Sequence, residues 1–269
     1  MTVYPSLFVC HGGGPLPLLR DEGHKMLVDA LKSHRKLLEN RFGLPKAIVV
    51  ISAHYETNTP KVGGAERPSL LFDYYGFPEE SYKFRYPVPG NAPLAAAIVN
   101  ALTVGGFHAE MEPERLLDHG VFVPLMIMFP EANIPVVPLS VLRSGDPAEH
   151  IRMGKALRPL RSDAVMFIGS GSTMHHFAHF NREEAGRKFG DALTSILCKN
   201  EVATLPEDRL KAMERVKTME GFTEAQPLRE HEHLMPLLTL VGAANGNIAE
   251  EVASISFGRA NVRNYLFTE

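Results

Sequence analysis

Histidine is the residue type whose placement in this chain suggests chemistry. There are twelve histidines and no tryptophan, and several histidines follow apolar runs directly. Ser6 to Cys10 leads into His11, Ala47 to Ile51 leads through Ser52-Ala53 into His54, and Ala164 to Ile168 leads through Gly169-Ser170-Gly171 toward His175 and His176. Two more sit in Asp118-His119-Gly120 and His231-Glu232-His233. Neutral imidazole binds Fe, Zn, Cu and Ni, and a catalytic metal centre needs three protein ligands with positions left open for water and substrate. His11, His54 and a third ligand from downstream are the natural candidates. The spacing matches neither a zinc finger nor an HExxH helix, so it predicts a metal site without naming a reaction.

His11-Gly12-Gly13-Gly14 has a second possible meaning, because some α/β-hydrolases build an oxyanion hole from such a run. That chemistry requires a GxSxG nucleophile elbow. No serine here has glycine two residues before it, so the elbow is absent.

The elements that must position these histidines follow from periodicity. Unbroken apolar runs such as Ala47 to Ile51 read as strands buried on both faces, and open α/β sheets place their ligands at the carboxyl ends of such strands. Further strands are predicted at Phe107 to Met111, on an edge, and at Ile134 to Val141, with prolines at its ends. Helices are predicted over Asp21 to Asn40, Ala92 to Leu102, Asp146 to Arg161, Arg182 to Lys199, Arg209 to Lys217 and Glu230 to Ala243. Asp146 caps its helix and Pro147 follows at the first helical position. Val121 to Phe129 is expected to be a buried helix with Pro124 in its first turn. Between Tyr55 and Asn91 lies a long irregular stretch whose aromatic residues argue for a packed, functional loop. No repeat, low-complexity tract or linker interrupts the chain. The expected architecture is one α/β domain spanning residues 1–269: a central mixed sheet, helices on both faces and a metal cleft at one strand-end edge.

Composition narrows the function classes. Hydrophobic residues make up 45% of the chain and the net charge is -3, which implies an ordered core and no basic field for nucleic acid. Cys10 and Cys198 form no CxxC and no disulfide framework. The N-terminus lacks a basic segment ahead of its apolar run, and no run approaches the roughly 20 residues of a membrane span. A cytoplasmic protein without membrane or nucleic-acid partners, monomeric or a small homo-oligomer, is expected.

Seven blocks, in order, resemble the class III extradiol ring-cleavage dioxygenases (protocatechuate 4,5-dioxygenase B-subunit-like), in particular their single-chain DOPA 4,5-dioxygenase-like branch. They are LFVCHGGGP (Leu7 to Pro15), VVISAHYE (Val49 to Glu56), DYYGFPEESYKFRYPVPG (Asp73 to Gly90), LDHGVFVPL (Leu117 to Leu125), NIPVVPLSV (Asn133 to Val141), FIGSGSTMHHF (Phe167 to Phe177) and EHLMPLLTLVGA (Glu232 to Ala243). The resemblance implies His11, His54 and His233 as metal ligands. It also implies His175 as acid/base and His119 as a contact to substrate or oxygen. It implies Fe(II) for activity, with Zn(II) able to occupy the site, and a small catecholic substrate opened with O2. A histidine with a near-neutral pKa suits proton uptake and return, the role implied for His175. The chain departs from the family where relatives read HGSP, SAHW and SGN: it has the extra glycine, Tyr55 and Ser172. All three departures lie beside the implied ligands and bear on substrate specificity. Other readings stay open: a zinc-dependent hydrolase or other non-redox metalloenzyme on the same scaffold, or an inactive metal-binding protein. His231 competes with His233 as the third ligand, Glu56 is a candidate to orient an imidazole, and Arg85 a candidate partner for a substrate carboxylate. His176 and His179 are capping or solvent-facing candidates. Tyr74, Tyr75, Phe77 and Tyr82 either pack their loop or line the pocket.

Overall fold

The computed structural model describes residues 3–182 and 184–268. Among them, the strands are β1 (Ser6–Cys10), β2 (Ala47–Thr57), β3 (Lys61–Gly63), β4 (Glu110–Glu112), β5 (Val136–Leu142), β6 (Val165–Gly171), β7 (Ala249–Phe257) and β8 (Ala260–Phe267). The helices are α1 (Lys25–Phe42), α2 (Ala92–Val104), α3 (His119–Met128), α4 (Pro147–Leu157), α5 (Arg187–Leu197), α6 (Pro206–Glu214), α7 (Phe222–Ala225) and α8 (Met235–Ala243). The strands form one mixed sheet in the order β4-β3-β5-β2-β6-β1-β8-β7. Its centre, β5-β2-β6-β1, is parallel, and β8 closes against β1 in the antiparallel sense. The apolar runs behave as their composition dictates: every residue of β1, β5 and β6 is buried.

Both faces are covered. Successive strand residues point to opposite sides. At β6, the Gly169 side faces Leu240 and Pro236 of α8, while the Ser170 hydroxyl reaches the Gly120 carbonyl of α3. So α8, with α4 packed on it, covers one face, and α3, with α1 beside it, covers the other. Asp146 caps α4 as expected, its Oδ1 accepting from the Ala148 and Glu149 amides at 2.7 and 3.3 Å. No helix among the described residues is long and apolar enough to cross a membrane.

Several elements differ from the sequence reading. β2 does not stop before His54 but runs on to Thr57, with a register shift against β5 between Ser52 and Glu56. His54 therefore sits in an irregularity that lifts it out of the ladder rather than beyond the strand. Pro138 lies inside β5, opposite Val50, not at a strand end. Residues of β5 alternate in the direction of their amides, and the Val136 amide already points away from β2, to the Pro89 carbonyl. Pro138, two residues on, shares that side, so the β2–β5 ladder loses no donor. α3 begins at His119 and carries Pro124 in its interior. The first-turn placement fails because Asp118, three residues ahead of the apolar run, is the cap. α8 starts at Met235, so His231-Glu232-His233 form the turn before it. The helix predicted over 182–199 is confined to α5, and residue 183 of that span lies outside the described residues. The β7–β8 hairpin has no counterpart in the sequence reading. Its first strand alternates poorly between buried and exposed positions, which hides the period-two signal.

Candidate metal centre and active site

The carboxyl ends of the central parallel strands and the amino ends of α3 and α8 meet at one edge of the sheet, and five histidines converge there. His11 follows β1, His54 rides the irregularity in β2, His175 follows β6, His119 opens α3 and His233 precedes α8. Ring centroids of His11 lie 4.9, 5.3 and 5.2 Å from those of His54, His119 and His233. His54 and His119 are 3.9 Å apart, and His175 stacks on His233 at 3.4 Å. Chain geometry makes this approach possible. The Ser172 amide donates to the His233 carbonyl at 2.8 Å, and at Gly171 a side chain would collide with that carbonyl.

Hydrogen bonds behind the rings set their tautomers. Pro124 lacks the amide that would bond the Gly120 carbonyl four residues earlier. The Ser170 hydroxyl donates to that carbonyl instead. With its proton so committed, Ser170 accepts from His11 Nδ1 at 2.9 Å, leaving the His11 Nε2 lone pair facing the other histidines. His233 Nδ1 donates to Glu232 Oε1 at 2.8 Å, which leaves its Nε2 unprotonated in the same way. His119 Nδ1 and its backbone amide both donate to Asp73 Oδ1, at 2.9 and 3.0 Å. His54 Nδ1 faces Asp73 Oδ2 at 3.9 Å, and His54 Nε2 lies 3.1 Å from His11 Nε2.

Electrostatics keeps His11, His54, His175 and His233 neutral. Burial, then the neighbouring histidines, holds His11 and His233 well below the ordinary imidazole range. Burial and His119 push His54 down against the pull of Asp73 and Glu232. Burial lowers His175 to about 4, with Glu232 opposing it, so the near-neutral value expected from sequence is not met. The unprotonated form of His175 is therefore the one present at pH 7. Burial alone would raise Asp73, yet its hydrogen bonds to His119 and the nearby His54 leave its carboxyl below the usual range.

Among the described residues, three groups could hold a metal ion: His11-His54-His233, His54-Asp73-His119 and His175-Glu232-His233. The donor chemistry separates them. In the second and third, a carboxylate oxygen is already accepting from a histidine Nδ1. In the first, the unprotonated His11 Nε2 and the His54 Nε2 lie 3.1 Å apart, so one cation can take both. Three neutral imidazoles, two of them held from behind by a hydroxyl or a carboxylate, fit a divalent transition metal. His175 Nδ1 is buried and lacks a hydrogen-bond partner among the described residues, its closest acid being Glu232 Oε1 at 3.7 Å.

A profile of the family described as the catalytic LigB subunit of aromatic ring-opening dioxygenase matches residues 8–265. The chain belongs to the LigB family. It is 39% identical over 266 residues to Dioxygenase tasH of Hapsidospora irregularis, covering 91% of this chain and 79% of that one. It is 34% identical over 232 residues to the 4,5-DOPA dioxygenase extradiol of Portulaca grandiflora, 83% of each chain. The crystal structure of an uncharacterized protein from Escherichia coli K12 superposes with a TM-score of 0.74 at 27% identity, covering 98% of this chain and 99% of that one. As a LigB-family member, the protein is a ring-cleaving dioxygenase of the extradiol type.

Other candidates fall outside this LigB centre. His231 packs on Phe222 and takes part in none of the three metal-capable groups. His176 and His179 stack on each other, and His179 bonds the Glu224 carbonyl. Glu56 pairs with Arg143 at the surface, and Arg85 is exposed. Tyr74 approaches His119 at 6.0 Å but spends its hydroxyl on the Ser81 carbonyl, so it packs the loop, while Tyr75 is exposed. Sequence reasoning missed Asp73, Ser170 and His24. Asp73 stands first in the DYYGFPEE block, 46 residues from His119, and Ser170 lies two residues past the predicted strand Ala164 to Ile168, in what the fold makes the end of β6. His24 Nε2 accepts the Gly13 amide at 3.0 Å, and its Nδ1 meets Asp21 at 2.7 Å, so the glycine loop is held from behind.

A cavity of about 420 Å³ opens against His11, His175 and His233. Phe177 and Phe180 form part of its wall, and the Phe257-Gly258 turn of the β7–β8 hairpin forms another. The aromatic loop at 73–90 contributes none of its lining residues.

Proposed function

We propose that the chain, residues 1–269, is one catalytic domain of an Fe(II)-dependent extradiol dioxygenase that opens the ring of a catechol with O2. His11, His54 and His233 are the metal ligands, His175 is the acid/base and His119 contacts substrate or oxygen. The observation that carries the reading is the trio of neutral imidazoles beside a fourth, His175, whose buried Nδ1 has no hydrogen-bond partner among the described residues. Fe(II), when bound, supplies Lewis acidity toward the catechol hydroxyls and the one-electron chemistry that lets dioxygen react with an aromatic ring.

The chain's own groups do the rest. His175, unprotonated at pH 7, takes a proton from a catechol hydroxyl on the side of its ring that lines the cavity, while its buried Nδ1 faces Glu232. The Glu232 carboxylate at 3.7 Å stabilises the imidazolium so formed, and the proton is returned as the ring opens. Asp73 fixes His119 in one orientation through two hydrogen bonds. The apolar cavity excludes water from the reacting face.

Oxygen uptake tests this. Protein reloaded anaerobically with Fe(II) is expected to consume oxygen with a catechol and form a yellow ring-opened product. His54→Ala is expected to abolish metal retention, and His175→Ala to retain metal but lose turnover. Full metal occupancy without oxygen uptake on any catechol would overturn the proposal in favour of the zinc hydrolase reading.

A further inference from the structure

The cavity beside His11, His175 and His233 carries information about the substrate beyond its catechol ring. Its walls away from the histidines are Met174, Phe177, Phe180, Phe257 and Val262. None of its lining residues among those described is lysine or arginine. The fixed charges near the histidines are acidic: Glu232 beside His233 and His175, and Asp73 beside His119. The glycine loop offers no spare anion donor at Gly13, since its amide is already given to His24. A carboxylate entering this space would lose its water and meet apolar walls with acids near the far end. An alkyl or aryl substituent would meet surfaces that gain from burial. Arg85, a candidate for carboxylate pairing, lines a separate cavity together with Arg67.

We infer that the substrate is a catechol bearing an uncharged apolar substituent, received between Phe177, Phe180 and Phe257, rather than a catechol amino acid or carboxylic acid. This rests on the dioxygenase reading for its chemistry, but the cavity's preference can be measured without turnover. The substituent runs away from the histidines toward the hairpin turn at Phe257-Gly258. Phe177, 71% exposed and stacked on Phe180 at 5.4 Å, stands at the cavity's outer side.

The test compares 4-methylcatechol, 4-propylcatechol and 3,4-dihydroxybenzoate. Binding is measured by calorimetry on zinc-loaded protein, and oxygen uptake is measured on Fe(II)-loaded protein. Affinity is expected to rise about fourfold per added methylene while the cavity fills. 3,4-Dihydroxybenzoate is expected to bind at least tenfold more weakly than 4-propylcatechol. Phe177→Arg, at an exposed position outside the core, is expected to narrow or reverse that ratio. Tighter binding of the carboxylate by the unmodified protein, or no gain with alkyl length, would overturn the inference. Apolar preference in the zinc-loaded protein with no oxygen uptake in the Fe(II) form would support the inference while sinking the dioxygenase proposal.

Discussion

Ser170→Ala tests the relay that runs from a proline in α3 to the first histidine of the site. In the native protein the Ser170 hydroxyl serves two buried partners, the Gly120 carbonyl that Pro124 leaves without an amide and the His11 Nδ1–H. Removing the hydroxyl strands both. At roughly 1–3 kcal/mol for each buried group left unpaired, the variant should lose about 2–6 kcal/mol of stability, a large share of the roughly 5–15 kcal/mol typical of a domain. Urea unfolding of metal-free protein measures this. Pro124→Ala supplies the missing amide, so combining it with Ser170→Ala should recover about 1–2 kcal/mol beyond additivity. Metal affinity should also fall about 10–100-fold, because His11 is no longer held in the tautomer that presents Nε2. Nitrogen NMR of the histidine rings reports that tautomer directly. A double-mutant coupling within about 0.5 kcal/mol of zero, with His11 still protonated at Nδ1, would refute the relay.

Three further outcomes are expected. Glu232→Gln keeps a hydrogen-bond acceptor for His233 but removes the charge that favours imidazolium at His175, so zinc affinity should fall about tenfold and kcat by at least as much, read by competition with a chelator and by oxygen uptake. Gly154→Ala should destabilise α4 against α8 by about 1–2 kcal/mol in spite of alanine's better helix propensity, because the added methyl lands on the Thr239 carbonyl; an unchanged unfolding midpoint would contradict this packing. Burial holds His34 and His150 near 4, against about 6.5 when unfolded, so their contribution to stability is complete above about pH 6.5 and is lost as pH falls toward 4. Each accounts for roughly 3 kcal/mol over that window. Their ring-proton shifts should stay those of neutral imidazole at pH 5.5, and titration near 6.5 would be incompatible with this burial.

The central strands were legible as apolar runs, with His11, His54 and His175 at or after their predicted ends, while the assignment of His119 and His233 to the same site came from the resemblance. His233 rather than His231 came from the resemblance, and the turn before α8 brings that residue to the cluster. What stayed hidden was non-local. Asp73 lies in irregular backbone, and only the fold brings it to His119. The Ser170 relay required knowing that Pro124 sits inside a helix, and the apolar run alone suggested the first turn. The pocket wall stayed undecided for a related reason. The aromatic loop at 73–90 advertises itself by composition, whereas Phe257 belongs to a hairpin whose alternation is too irregular to announce a strand.

The position of β1 bears on when this protein becomes competent. It comes earliest in sequence among the described strands, yet both of its neighbours, β6 and β8, lie far downstream. Its first partner appears only after residue 165 and its second after residue 260. A nascent chain therefore holds His11 and His54 on strands that have not been brought together, and neither His233 nor the hairpin wall exists yet. Such long-range pairing makes for slow folding and an exposed apolar strand in the interval. Metal capture and closure of the apolar cavity then become late, nearly simultaneous events. A chain shortened ahead of β8 would leave β1 with an open edge and β7, which carries Phe257, without its partner strand.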